Sequence, residues 1–329
     1  MTRRAMVPLA YFGKLRSRGD FVRSASQPTL IRTLDDWLSQ GIELMSADPR
    51  WKEVYDRSPN AYFAFFSASN QRAIAGYLQA SADASGRRFP FVVAGAFEVV
   101  EPLVFLQCAP MALTRLWARF EHAAHGACGA EDASVVLADM AQVEVELDVE
   151  AAAYEASLRD FVELQTMASL ETMLRDAGHP VDLRQALLAI GLLLQPVLGS
   201  TGVSLKKGLR LPLPTDPLYR PLVASFWLEL VVPFLRRLDL EIALFLPRLG
   251  ATPAQALAIG FSGGSAAHLH AVLDPAAAAE AFIDPSPAEW VEEQVRQDYA
   301  VTKLSSYLAQ PQLSLRQAMA TFRETFLGE

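Results

Sequence analysis

Residues 61–97 read AYFAFFSASNQRAIAGYLQASADASGRRFPFVVAGAF, and the order of apolar runs and turns within them sets the fold class. AYFAFFS from Ala61, AIAGYLQAS from Ala73 and FPFVVAGAF from Phe89 carry the aromatic and β-branched content of strands. Only the polar stretch Ala68 to Arg72 separates the first two. That is too short for a parallel crossover, so the two are predicted to pair as an antiparallel hairpin.

Upstream, VPLAYFGKL from Val7 is a fourth strand candidate. LIRTLDDWLSQGIELM follows it, with Leu30, Leu34, Trp37 and Leu38 at helical spacing and a stop at Pro49. The order strand, helix, hairpin, strand predicts an α/β protein whose sheet is covered on both faces and is at least partly antiparallel.

Downstream, the pattern predicts a helix around Met111 to His122, then an Ala/Gly-rich loop. One helix of nearly thirty residues is predicted next, from an Asp148 N-cap to a stop at Gly178 and Pro180. A helix over Leu183 to Gln195 and an apolar one over Leu218 to Arg237 follow, with strands at GLRLPLP from Gly208, LEIALFLPRL from Leu240 and ALAIGFS from Ala256. Pro285-Ser286-Pro287 opens a helical segment through Leu308, and Ser314 opens the last. A boundary, if there is one, falls near 126–147. This divides the chain into an N-terminal α/β domain over 1–130 and a helix-rich α/β region over 131–329, which can pack together as one unit.

Thirty-seven acidic against 29 basic residues leave a net charge of −8, and the basic residues are scattered rather than striped. Neither a nucleic acid nor an anionic membrane surface is an expected partner. The start, MTRRAMVPLAYFGKL, does not read as a secretory leader, and the most apolar runs stop short of the roughly 20 residues that span a bilayer. A cytoplasmic protein without membrane insertion is expected. Cys108 and Cys128 can be paired on paper, but the cytosol favours free buried thiols.

Two constellations suggest chemistry. Gly260-Phe261-Ser262-Gly263-Gly264, between an apolar run and a helix carrying His268 and His270, has the parts of a hydrolase nucleophile elbow. That chemistry needs an acid and then a histidine later in the chain, yet His270 is the last histidine. The better reading is a glycine-bearing turn in which Ser262 caps the helix. His122, His125 and Cys128 have the spacing of soft metal ligands on one helix side, but the helix is expected to end before Cys128. Solvent-facing histidines near a helix end are the preferred reading, and no metal is assigned.

Two clusters in the first third combine glycines with turn-forming acids: Phe12-Gly13-Lys14-Leu15 with Gly19-Asp20-Phe21, and Ser81-Ala82-Asp83-Ala84-Ser85-Gly86-Arg87-Arg88-Phe89-Pro90. Asp20 and Arg87 can pair if the first and last of the four strands are neighbours. Each cluster reads as a turn, with a partner-binding surface as the rival reading.

These clusters, with Trp37 in the helix between them, resemble the TagF (ImpM) family of type VI secretion system accessory proteins over about residues 7–98. Gly208 to Leu213, Gly260 to Gly263, Leu273-Asp274-Pro275 and Phe282-Ile283-Asp284 are similar, more loosely, to longer members. Arg16 and Ala80 stand where the family usually has proline, and Ser58 to Phe63 lacks its usual Trp-Arg-Phe.

The resemblance implies a three-layer α/β/α sandwich around a mixed, partly antiparallel sheet, with a largely helical second half. It also implies a non-enzymatic protein without cofactor or small-molecule substrate, a post-translational repressor of secretion-system assembly that binds a forkhead-associated-domain scaffold protein. That control runs parallel with or linked to a threonine kinase and phosphatase pathway; the Asp-Gly-x-x-Gly metal motif of the phosphatase fused to some relatives does not occur in this sequence. The partner-binding candidates are Lys14, Gly19, Asp20, Phe21, Ser81, Asp83, Gly86 and Arg87. A serine hydrolase using Ser262 and a structural accessory subunit of the apparatus are the alternatives.

Overall fold

The computed structural model describes residues 3–199, 205–248 and 255–329. In chain order the elements are β1 (Arg4–Pro8), β2 (Ala10–Gly13), β3 (Val22–Arg23), α1 (Pro28–Met45), α2 (Trp51–Asp56), β4 (Asn60–Ser67), β5 (Arg72–Gln79), β6 (Phe91–Glu98), α3 (Pro102–Gly129), α4 (Ser134–Met140) and β7 (Glu144–Asp148). They continue with α5 (Ala152–Leu164), α6 (Met167–Asp176), α7 (Leu183–Leu198), β8 (Gly208–Leu213), α8 (Tyr219–Leu235), β9 (Glu241–Arg248), β10 (Gln255–Gly260), α9 (Ala266–Leu273), α10 (Ala278–Ala281), β11 (Phe282–Ile283), α11 (Val291–Gln297), α12 (Tyr299–Leu308) and α13 (Leu315–Leu327). The predicted strand from Leu240 includes Leu249, which lies outside the described residues.

Among the described residues nine strands form one sheet in the order β11-β8-β10-β9-β4-β5-β6-β2-β3. The hairpin is β4–β5, in antiparallel register from Ala61 opposite Leu78 to Phe65 opposite Ile74. The neighbours are antiparallel except β11, which runs parallel to β8, so the sheet is mixed. β4 also pairs with β9 along its whole length, from Asn60 opposite Arg248 to Ser67 opposite Glu241. The sheet therefore runs without a break from the first third of the chain into the last.

Period-two alternation splits β4 between two cores. Ala64 and Phe66 face a cluster with α3, α7 and α8, while Ala61 and Phe63 face one with α1, α2 and α9. Helices on both faces of one sheet make the three layers. α8 is apolar around its whole circumference because other helices cover its outer side. Its Trp227 is fully buried and donates its indole N–H to the Pro212 carbonyl at 2.9 Å. Burying each such large side chain contributes about 1.5–3 kcal/mol.

Four expectations need correction. The predicted first strand is two. Arg4–Pro8 pairs with β7 in a separate ribbon, and the chain changes partner at Leu9, whose N–H goes to Val143 before Ala10 joins β6. The helix expected around Met111 to His122 is the 28-residue α3, which continues through Pro110 and Gly126 and contains Cys128. Its buried stripe, from Phe105 through Leu113 and Phe120 to Ala127, outweighs both breakers. The nearly thirty-residue helix after Asp148 is not continuous: its span divides into α5 and α6, and Glu144–Asp148 before it is a strand with Val145 and Leu147 turned inward. The division comes from outside the segment, since Met167 N–H donates to Leu313 O while Leu315 N–H donates to Gln165 O. Finally, the segment after Pro287 breaks at Asp298, whose carboxylate accepts from Ala300 and Val301 and starts α12.

Among the described residues no helix is long and apolar enough to cross a membrane.

Candidate partner-binding site

The two predicted clusters meet at one edge of the sheet because β2 lies beside β6, with Gly13 opposite Phe91. Gly13 has φ +134° and sits so close that a Cβ there would be 2.0 Å from the Pro90 carbonyl oxygen. Only glycine lets the two backbones approach like this.

Asp83 is the centre of the junction. Its side chain is fully buried, and Lys14 Nζ lies 3.0 Å from it with only 9% of the lysine side chain exposed. Oδ1 accepts from Ser85 N–H (3.0 Å), Ser85 Oγ (2.7 Å) and Arg87 N–H (3.0 Å), and Oδ2 accepts from Arg87 Nε (2.7 Å). Burial alone pushes this carboxyl up. The hydrogen bonds from Ser85, the Arg87 backbone, Lys14 and the Arg87 side chain outweigh burial and hold it well below the usual carboxylate range.

The remaining candidates close around this centre. Ser81 donates its hydroxyl to the Lys14 carbonyl at 2.7 Å, and its backbone N–H donates to Tyr55 Oη at 3.0 Å. Gly86 takes φ +80° at the turn tip, with no described residue beyond its chain neighbours within 4 Å of where a Cβ would stand. Arg87 extends outward and donates to the Gly19 carbonyl at 2.8 Å. The expected Asp20–Arg87 pair is not made, although the strands are neighbours: Asp20 instead accepts from the Phe21 N–H at 2.8 Å. A one-residue Asx contact is closer at hand than a carboxylate-to-guanidinium reach already satisfied by Asp83 and Gly19.

Phe21 stacks on Phe12 (5.5 Å between centroids) and meets Phe89 edge-on (4.9 Å), with Lys14 Nζ 4.9 Å from its ring centre. It nevertheless stays 42% exposed. The eight candidates thus divide. Lys14 and Asp83 are an internal pin, Ser81 is half-buried, and Gly19, Asp20, Phe21, Gly86 and Arg87 are exposed. A polar depression of about 470 Å³ opens beside them, lined by Tyr55, Asp83, Arg16 and Arg88.

Sequence reasoning missed three contributors. Arg88 forms a two-pronged pair with Asp56 at 2.7 and 2.6 Å, and Arg18 reaches Asp132 at 3.1 Å and also Ser134. Tyr55 supplies the hydroxyl to Ser81. Arg18 and Asp132 are separated by more than a hundred residues, so no local spacing could signal their contact.

The other constellations lie elsewhere. Ser262 is exposed in the turn after β10, and the residue that caps α9 is Ser265, whose hydroxyl accepts from His268 N–H at 3.1 Å. The expected Ser262 cap fails because Gly263, at φ +59°, and Gly264 add residues before the helix begins. Ser265→Ala is expected to cost about 1 kcal/mol and Ser262→Ala less than about 0.5 kcal/mol in urea unfolding. His268 is buried, its ring stacked on Phe282 at 5.1 Å, and burial lowers its pKa. His122 and His125 are exposed, and His125 Nε2 lies 3.0 Å from the Tyr77 hydroxyl. Among the described residues no group of three or more His, Cys, Asp or Glu is placed to hold a metal. Both cysteines are free thiols, and burial pushes Cys108 up to about 12 and Cys128 up to about 11.

Residues 10–143 match the model of the TagF N-terminal domain, described as type VI secretion system-associated. A crystal structure of PA0076 from Pseudomonas aeruginosa PAO1 is similar at 25% identity and TM-score 0.34, covering 41% of this chain and 60% of that one. The match thus spans about three fifths of that chain's length. No curated protein matches the chain in sequence.

Proposed function

We propose, from the match of residues 10–143 to the TagF N-terminal domain, described as type VI secretion system-associated, that this protein is a cytoplasmic negative regulator acting after translation. In this reading it represses assembly or activity of the apparatus by binding a forkhead-associated-domain scaffold protein, and it needs no catalysis. The supporting observation is the division at the sheet edge, where the buried Lys14–Asp83 pair underlies an exposed surface of Gly19, Asp20, Phe21, Gly86 and Arg87. A half-exposed aromatic beside charged groups, on a rigid scaffold, is the composition of an interface anchor.

Replacing Asp20 by lysine and Phe21 by alanine is expected to lower partner recovery in a pull-down at least tenfold while the melting temperature moves by less than about 3 °C. Equal recovery from this variant and the parent would remove the edge from consideration as the interface. Overproduction tests the regulatory part: a repressor in excess silences secretion, whereas a structural subunit in excess leaves it running.

A further inference from the structure

A second recess of about 520 Å³ shares no residue with the sheet-edge cluster. It lies between α1, the tip of the β4–β5 hairpin and the Gly263–Gly264 turn, with Trp37 and Phe65 in its apolar wall. Its size is that of a site for a few side chains or a small ligand.

Two observations mark it as a site. Trp37 is 5% exposed, packed among Phe63, Phe65 and Phe245, and its indole N–H has no hydrogen-bond partner among the described residues. Buried indole N–H groups usually find an acceptor, and leaving one unpaired costs stability. The pyrrole edge faces the glycine turn, since a Cβ on Gly264 would lie 3.3 Å from Trp37 Cδ1. The ring edge that carries the orphaned donor thus borders the glycine turn that lines the recess.

The second observation is charge. Asp36 and Glu241 line the recess, and neither carboxylate has an ion-pair partner among the described residues. The cation in the lining is Arg72, which likewise has no ion-pair partner among the described residues, so the lining carries two carboxylates against one guanidinium. The local balance favours a positively charged occupant, and the faces of Trp37 and Phe65 can also receive a cation.

We propose that this recess binds an extended protein segment bearing a basic side chain. The basic group lies between Asp36 and Glu241, and a backbone carbonyl of the segment accepts from Trp37 Nε1.

The test is a 15N–1H NMR titration of the full chain with the tripeptide acetyl-Gly-Arg-Gly-amide, and with acetyl-Gly-Glu-Gly-amide as its acidic counterpart. The reporters are the Trp37 indole resonance, assigned by Trp37→Phe, and the Gly264 amide, which serves if that variant does not fold. Saturable shifts with the arginine peptide, weakened roughly fivefold or more in Asp36→Asn/Glu241→Gln, are expected. Unmoved reporters, equal or stronger response to the glutamate peptide, or unchanged affinity in the double variant would each overturn the proposal. Because Asp20 and Phe21 lie outside the recess, failure here is distinguishable from failure of the sheet-edge reading.

Discussion

Asp83→Ala is expected to lower the melting temperature by something on the order of 5–10 °C, more than replacement of any exposed residue of the same cluster. The substitution removes the acceptor of four hydrogen bonds and leaves the Lys14 ammonium inside the protein with the Phe21 ring as its neighbour. An uncompensated buried charge costs far more than the pair contributes over an apolar substitute. The double variant Lys14→Met/Asp83→Leu should therefore melt above the single Asp83→Ala. A single variant within about 2 °C of the parent would show that the pin carries no stability.

The pair also predicts a pH dependence with a definite sign. The folded-state pKa of Asp83 is depressed, so its contribution is fully present above the unfolded carboxylate value of about 3.9. It is lost as pH falls from there through the depressed folded value. Thermal scans should show a gap between Asp83→Asn and the parent that is constant near neutrality and narrows below about pH 4. A gap that stayed constant down to pH 3, or widened there, would contradict the assignment.

Gly13→Ala should be the most damaging glycine substitution at this edge, costing about 3 kcal/mol or more in urea unfolding. Its φ of +134° is a region that side-chain-bearing residues rarely enter, and the added Cβ would sit 2.0 Å from Pro90 O and 2.8 Å from Phe91 Cα. These obstacles are backbone atoms, so relief requires β2 to move away from β6 and to take Phe12 from its contacts with Phe21 and Phe89. Gly86 provides the comparison: φ is +80° but, among the described residues, nothing beyond its chain neighbours lies within 4 Å of the added atom. Gly86→Ala should cost only the left-handed penalty, about 1–2 kcal/mol. Equal losses at the two positions would mean that strain in φ alone, and not the approach of Pro90, makes glycine necessary at 13.

Much of the site was legible because its chemistry is local. Asp83, Ser85, Gly86 and Arg87 build their turn within five positions, and the glycine and Asx signals that announce such a turn depend on neighbours in sequence. Lys14 and Gly13 stood out in the sequence only as parts of a motif. Their roles, a buried countercharge and a backbone approach, exist because β2 lies beside β6. Which candidates are buried and which exposed was not legible, since Phe21 and Phe89 have similar local patterns and differ in what covers them.

The same distinction holds for the fold. Alternation and helical periodicity by themselves determined the hairpin, the α/β class and most helix positions, because each is a short-range match between side-chain spacing and backbone geometry. Tertiary structure alone decided three things. It divided the predicted long helix at Gln165–Thr166, where Leu313 and Leu315 take over backbone partners that continued helix would have used. It kept α3 intact through Pro110 and Gly126, where burial of one apolar stripe outweighs local helix-breaking preference. It also joined β4 to β9, extending one sheet across the chain through hydrogen bonds between strands about 180 residues apart, because a strand's backbone groups are satisfied by whichever edge the packed helices bring beside it.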